Sequence, residues 1–293
     1  MPLHSLPFSR PAAAVAAATA LLLALSACTS TTGAPDATAP STAAAGLPSA
    51  HIHGLTVTDE AGQILLATHD GLFDVSKQPA TKIGATNDLM GFTAGKDHGV
   101  YYASGHPGKG SSLPNPMGLV RSTDAGKTWE ELSRQGESDF HALTVTQSGI
   151  VAFDGTLRTS PDGKTWTTVG TDFAPAVLAG NPNSDTVLAT TTDGLQRSTD
   201  GGTTWTLTPS APIIQFAAFA TPTEAIGVQP DGGLHYSTDG GATWTPKGRI
   251  TTEVQAITAA KGPDGKVRIW AAASDKILAS ADGGETFQEF EPK

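Results

Sequence analysis

The sequence predicts an all-β protein in which residues 51–293 form a six-bladed β-propeller with four strands in each blade. Three observations indicate this fold class. An octamer of the form Ser-x-Asp-x-Gly-x-Thr-Trp recurs at about the length of one propeller blade. The 33 Gly and 20 Pro residues suit many short strands joined by tight turns. With 38% hydrophobic and 16% charged residues, the chain has enough apolar side chains to fill a large core.

Five copies of the octamer set the repeat length. They begin at Ser122, Ser160, Ser198, Ser237 and Ser280. The intervals between these starts are 38, 38, 39 and 43 residues, although the second copy is one residue short and the last has Phe287 in place of Trp. Residues 51–84 contain four similar hydrophobic segments without a recognisable octamer. We therefore expect a first blade whose octamer has decayed, followed by five blades that keep it.

One carboxylate is repeated in every octamer. These residues are Asp124, Asp162, Asp200, Asp239 and Asp282. Side chains of Ser and Asp bond nearby backbone amides, and Gly adopts the positive φ values that a tight hairpin requires. The aromatic residue that follows is expected to pack between blades. A structural role explains all five aspartates at once, whereas catalysis or metal binding would need five separate sites.

The octamers resemble the Asp-box (BNR) repeats of sialidases, sortilin-type receptors and other propellers. The segments that begin at His51 (HIHGL), Asp88 (DLMGF) and Asp139 (DFHAL) further resemble an uncharacterised family of secreted bacterial Asp-box propellers. Members of that family are labelled glycosylhydrolase or exo-sialidase-like. The resemblance implies the fold of residues 51–293, but it does not imply the chemistry, because Asp boxes are shared by proteins of unrelated function.

The N-terminal residues are predicted to direct export. Residues 1–27 contain Arg10 and an apolar run that is too short for a stable membrane span, as in a signal peptide. The end of this run, LSAC, resembles a bacterial lipobox and implies that Cys28 is lipidated. Residues 28–50 are rich in Thr, Ala, Ser and Pro and are predicted to form a flexible tether. We expect a lipid-anchored protein on the extracytoplasmic face of the cell membrane.

The charge and cysteine content exclude several classes of protein. The formal net charge is −10 and the basic residues are scattered, so the chain has no footprint for nucleic acid. The single cysteine rules out an intrachain disulfide. We expect a monomer.

Histidines are concentrated on one predicted face of the first three blades, where the innermost strands begin. The predicted metal ligands are His51, His53, His69, His106, His141 and Met90. Imidazole is the commonest ligand of zinc and copper in proteins, and thioether adds a preference for cuprous copper. Asp70, Asp88 and Asp139 are expected either to bind the ion or to orient the rings. In the alternative interpretation, these histidines only line a wet channel.

Two other hypotheses stay open beside a copper- or zinc-binding propeller. Asp70, Asp88 and Asp139, with Asp154, are weak catalytic candidates for a glycan-binding or glycoside hydrolase propeller. A sialidase also needs an arginine cluster and a tyrosine nucleophile with a glutamate partner. The chain has three tyrosines, and its repeated arginines lie beside the octamers. The sequence therefore argues against a sialidase. The third hypothesis is a protein-assembly scaffold, similar in kind to the Asp-box assembly factors of photosynthetic membranes.

Overall fold

The computed structural model describes residues 47–48, 51–58 and 62–292. The predicted signal peptide at 1–27 and the lipidation site Cys28 lie outside these residues, as does the tether at 28–50 except for Leu47 and Pro48. Within the described part of the chain, no helix is long and apolar enough to cross a membrane.

Six antiparallel sheets, each of four consecutive strands, form the six blades. Blade 1 contains β1 (Ile52–Val57), β2 (Ile64–Thr68), β3 (Gly71–Asp74) and β4 (Thr81–Ile83). Blade 2 contains β5 (Asp88–Ala94), β6 (Tyr101–His106), β7 (Leu119–Ser122) and β8 (Glu130–Ser133). Blade 3 contains β9 (Ala142–Thr146), β10 (Gly149–Phe153), β11 (Leu157–Ser160) and β12 (Thr167–Thr168).

The second half of the ring repeats this organisation. Blade 4 contains β13 (Val177–Asn181), β14 (Ser184–Thr191), β15 (Gly194–Ser198) and β16 (Thr206–Leu207). Blade 5 contains β17 (Phe216–Phe219), β18 (Ala225–Val228), β19 (Gly233–Ser237) and β20 (Thr245–Arg249). Blade 6 contains β21 (Ala256–Lys261), β22 (Val267–Ala272), β23 (Ile277–Ser280) and β24 (Gln288–Glu289). The predicted all-β, six-bladed architecture is confirmed.

The first strand of each blade lies innermost, and these six strands pack side by side in a closed ring. Blade 6 meets blade 1 through β21 and β1. No sheet contains a strand from both ends of the described chain, so side-chain packing closes the ring. A buried cluster that includes Ile52, Leu66 and Ala272 fills this junction, with Leu47 packed against it.

The other five blade junctions have equivalent buried clusters. The aromatic residue of each octamer packs against the preceding blade, as predicted. Trp244, for example, joins a cluster with Leu188 and Leu195 of blade 4. Phe287 does the same with Leu234 of blade 5. The aromatic residues therefore connect one blade to the next.

The repeated aspartates form the predicted turn contacts. In the octamer of blade 5, Asp239 Oδ1 accepts hydrogen bonds from Ser237 Oγ at 2.8 Å and from the Thr243 amide at 2.9 Å. Thr243 Oγ1 donates to Asp239 Oδ2 at 2.7 Å. These bonds, the Thr243 side-chain bond foremost, lower the pKa of Asp239 to about 2. The same contacts recur around the aspartates of the other four octamers.

Blade 1 holds the corresponding turn by different contacts. By strand register, Val75 and Lys77 occupy the positions of the octamer Ser and Asp, and Ala80 occupies the position of Trp. The buried Asp74 replaces the octamer aspartate as the acceptor in this turn. It accepts hydrogen bonds from the Ser76 amide at 3.0 Å and from Gln63 Nε2 at 2.8 Å. The octamer has therefore decayed in sequence while the turn has kept a carboxylate at its centre.

Candidate metal centre

The innermost strands enclose a central cavity of about 480 Å³. Its upper mouth is the end at which these strands begin. One residue per blade occupies the same register position there, and we call this set the mouth residues. They are His53, Met90, His141, Ala176, Gln215 and Gln255. His53, Met90 and His141 line the cavity at this end.

Three imidazoles of blade 1 converge at the mouth. His51 and His53 begin the innermost strand, and His69 lies in the loop between β2 and β3. One ring nitrogen from each lies within 4.8 Å of the other two. The Nε2 atoms of His53 and His69 are 3.3 Å apart. Two nitrogens bound to one tetrahedral zinc ion at 2.0–2.1 Å would be separated by about the same distance.

The environment of His53 favours neutral imidazole, the form that binds metals. Burial foremost, together with the positive potentials of His69 and His51, lowers its pKa to about 4. Asp88 acts in the opposite direction, and His141 adds to the lowering. The lowered pKa favours the unprotonated ring of His53, whose Nε2 atom lies in contact with His69 Nε2.

Asp88 of blade 2 stands behind His69. Its Oδ1 atom lies 2.9 Å from His69 Nδ1, on the ring side opposite the Nε2 that faces His53. Although the two atoms are close, this buried oxygen makes no hydrogen bond of acceptable angle. Carboxylates in this position commonly fix the orientation of a metal-binding imidazole. Of the two roles predicted for Asp88, the geometry favours that of an orienting residue.

The other predicted ligands form a second group. Asp139 Oδ2 lies 2.8 Å from His141 Nε2 and 3.2 Å from His106 Nε2. His106 Nδ1 is in turn 2.8 Å from Asn115 Oδ1, in the long loop of blade 2. In the described part of the chain, these rings do not join the three-imidazole group. The predicted single set of ligands is therefore divided between two neighbouring groups.

The two groups repeat one contact. His69 and His106 occupy the same position in blades 1 and 2, and Asp88 and Asp139 occupy the same position in blades 2 and 3. Each histidine therefore approaches the aspartate of the next blade. The strand pattern of the sequence predicts all four residues on one face. It does not predict that His69 pairs with Asp88 and His106 with Asp139 of the next blade.

The remaining catalytic candidates do not form an acid–base pair. Asp70 is exposed, and its backbone amide donates to Thr68 Oγ1 at 3.1 Å. Asp154 is partly buried between two arginines, with Arg158 Nε at 3.3 Å and Arg134 Nη2 at 3.7 Å. Its carboxylate is thus paired with two guanidinium groups and not with a second carboxylate.

A tyrosine–glutamate pair, which sequence analysis did not identify, lies at the octamer end of blade 5. Tyr236 Oη donates to Glu224 Oε1 at 2.5 Å, and Lys261 Nζ lies 2.7 Å from Glu224 Oε2. Burial and the bond to Glu224 raise the pKa of Tyr236 to about 12. A tyrosine that is harder to deprotonate is a poorer nucleophile. The pair is linked to blade 6 through Lys261 and lies at the end of the propeller opposite the upper mouth.

Known proteins share both the repeats and the fold of this chain. Residues 196–207 and 235–246 match the BNR/Asp-box repeat family. No curated protein sequence matches the chain.

Several solved structures share the fold. The GH74 xyloglucanase from Xanthomonas campestris is 18% identical with a TM-score of 0.57, and the alignment covers 82% of this chain and 38% of the enzyme. The GH74 enzyme from Niastella koreensis is also 18% identical with a TM-score of 0.55, covering 82% and 37%. Virginiamycin B lyase from Staphylococcus aureus is 15% identical with a TM-score of 0.53, covering 83% and 85%.

These similarities concern the fold alone. At such identities, related folds support many unrelated activities. The chain also spans less than two fifths of the length of either GH74 enzyme. From its repeats and its architecture, the chain is a six-bladed β-propeller that contains BNR/Asp-box repeats.

Proposed function

We propose that the protein binds a transition-metal ion, copper or zinc, through His51, His53 and His69 at the upper mouth. The observation that carries this proposal is the convergence of one ring nitrogen from each histidine within 4.8 Å. The 3.3 Å separation of the His53 and His69 Nε2 atoms is the separation expected of two ligands on one ion.

The carboxylate of Asp88 supports a cation at this place. Asp88 Oδ1 is buried and makes no hydrogen bond of acceptable angle, although His69 Nδ1 lies 2.9 Å away. A buried carboxylate oxygen without a partner is costly, and a nearby positive charge would offset that cost. The formal net charge of −10 also favours a cationic ligand over an anionic one.

Each of the three histidines would hold the ion by one nitrogen, and Asp88 would keep the His69 ring in place. Three protein ligands leave one coordination position for an outside molecule, as in catalytic zinc sites. That position would lie beside the central cavity, because His53 lines it. The metal would supply Lewis acidity or, as copper, a redox centre.

We further propose that Cys28 carries lipid and that this mouth lies outside the cytoplasmic membrane. The proposal rests on the lipobox-like LSAC segment. A Cys28→Ala variant should then move from the membrane fraction to the soluble fraction of cells. If the variant fractionates like the wild-type protein, the lipid anchor is wrong.

Competition against chelators of known affinity tests the metal proposal. The purified protein should bind zinc or cupric ion at one site, and the triple variant His51→Ala/His53→Ala/His69→Ala should bind at least about 100-fold more weakly. His98→Ala is the matched control, because His98 is exposed in the turn between β5 and β6, at the opposite end of the propeller. Equal affinity of the wild-type and triple-variant proteins for both metals would rule out the site.

A further inference from the structure

Two of the mouth residues are aimed by the same backbone irregularity. In blade 1, pairing steps from Ile52 to Gly54 and leaves His53 as the extra residue of a β-bulge. In blade 2, pairing steps from Leu89 to Gly91 and leaves Met90 as the extra residue. Bulges are frequent beside functional sites because they redirect a side chain. Met90 is therefore the structural counterpart of His53 on the adjacent strand.

Met90 stands between two histidines of the ring. Strand β5, which carries it, packs between β1 and β9. His53 and His141 occupy the same register position on these two neighbours, and all three residues line the cavity. His53, Met90 and His141 thus follow one another around half of the mouth, and we call them the His–Met–His arc.

The setting of Met90 differs from that of a methionine that fills a core. Met117, the other methionine in the described part of the chain, is fully buried in the cluster between blades 1 and 2. Met90 is only partly buried, at a mouth lined by imidazoles. A thioether there gains less from burial than Met117 does. Thioether is, however, a soft ligand that favours cuprous copper over zinc.

We infer that the ion held at this mouth is cuprous copper and that Met90 is the residue that selects it. The inference rests on the proposed metal site, because His53 belongs to both the three-imidazole group and the His–Met–His arc. Met90 would add a sulfur ligand next to the imidazole of His53. Zinc, which does not require sulfur, would depend on the histidines alone.

A Met90→Leu variant tests the selection, with Met117→Leu as the matched control. Exchange of Leu for Met conserves volume and is well tolerated. The reference protein and both methionine variants carry Cys28→Ser, because the one thiol of the chain would itself bind cuprous ion. Cuprous affinity is measured under reducing conditions against a chromogenic cuprous chelator, and zinc affinity is measured in parallel. Copper X-ray absorption then asks whether sulfur is a neighbour of the bound ion.

The inference predicts that Met90→Leu weakens cuprous binding at least about 10-fold and leaves zinc binding within about twofold. The sulfur neighbour should disappear in this variant, and Met117→Leu should change neither affinity. An unchanged cuprous affinity, or an equal loss for both metals, would overturn selection by Met90. If zinc binds and the triple histidine variant loses it while cuprous ion does not bind, only this inference fails. If neither ion binds, the proposed function fails with it.

Discussion

Blades 1–3 and blades 4–6 differ at the mouth of the channel although all six blades have the same four-stranded architecture. Three mouth residues of the first half are chelating side chains, namely His53, Met90 and His141. Their counterparts in the second half are Ala176, Gln215 and Gln255. In the second half, each backbone amide at this position still donates to the neighbouring strand, at 2.8, 2.7 and 2.8 Å. The fold therefore does not require histidine or methionine at this position.

The octamer end of the propeller shows the opposite behaviour. Its Ser, Asp, Gly and aromatic residues recur in blades 2–6, across both halves of the ring, and in each of these blades a Thr amide donates to the Asp carboxylate. Repetition there follows from the demands of the turn and of the blade junction. At the mouth, the side chains differ from blade to blade. The fold does not constrain them there, so they can serve in binding.

The largest expected effect comes from removing the side chain of one mouth residue in the first half of the ring and comparing it with the same change in the second half. His53→Ala should weaken metal binding by about 100-fold or more, because His53 belongs to both the three-imidazole group and the His–Met–His arc. Gln255→Ala, at the same position in blade 6, should leave affinity unchanged. Isothermal titration of both variants measures the difference. Comparable losses in the two would contradict the proposed functional asymmetry of the ring.

The next effect concerns stability at the octamer end. Gly284 has φ +91°, and an added Cβ would lie 2.0 Å from Leu234 Cδ2 in the preceding blade. We expect Gly284→Ala to lower the free energy of unfolding by about 2 kcal/mol or more, from clash and backbone strain together. Metal affinity should be unaffected. Urea denaturation measures the stability.

Gly283→Ala separates the clash from the backbone strain. Gly283 has φ +77°, but an added Cβ would meet no atom within 4 Å. This control should cost only about 1–2 kcal/mol, the strain of a left-handed alanine. If the two variants were equally stable, close packing between blades 5 and 6 would not constrain this glycine.

A smaller effect on metal affinity is expected from changing Asp88, which contacts the ligand His69. Asp88→Asn should weaken metal binding about 10-fold, because the amide orients the His69 ring less firmly than the carboxylate does. Asp70→Asn is the control, since Asp70 neighbours His69 in sequence and is exposed. Metal competition assays compare the two variants. A loss confined to Asp70→Asn would assign the supporting role to the wrong carboxylate.

The smallest effect is a pH dependence of stability. The pKa of Asp239 is lowered to about 2 in the folded protein. A lowered carboxylate pKa contributes stability that is fully present above the unfolded pKa of about 4 and is lost as pH falls toward 2. The free energy of unfolding should therefore decrease over this range, and less steeply in Asp239→Asn than in the wild-type protein.

The scaffold was predictable because its signals are local and repeated. Ser237, Asp239 and Thr243 contact one another within a single turn, so the octamer alone implies their geometry. Five copies then fix the length of a blade. The first blade was recognisable from its strand pattern, but the role of Asp74 was not, because its partner Gln63 lies on the neighbouring strand.

The candidate site was only partly predictable, since its contacts join blades. Register placed His51, His53 and His69 on one face, and the structure brings their nitrogens together. The division of the histidines into two groups depends on how each ring turns toward the next blade. The approach of His69 to Asp88, and of His106 to Asp139, follows from blade packing that no local sequence pattern encodes.

The most direct test of the metal site is anomalous diffraction from crystals grown with zinc or copper. The proposed site predicts one strong peak at the upper mouth, about 2.0–2.1 Å from the Nε2 atoms of both His53 and His69, with the His51 ring completing the set. The peak should vanish in the triple histidine variant. A peak elsewhere, or full metal occupancy without any of these three rings as ligands, would contradict the metal site and the functional contrast between the two halves of the ring.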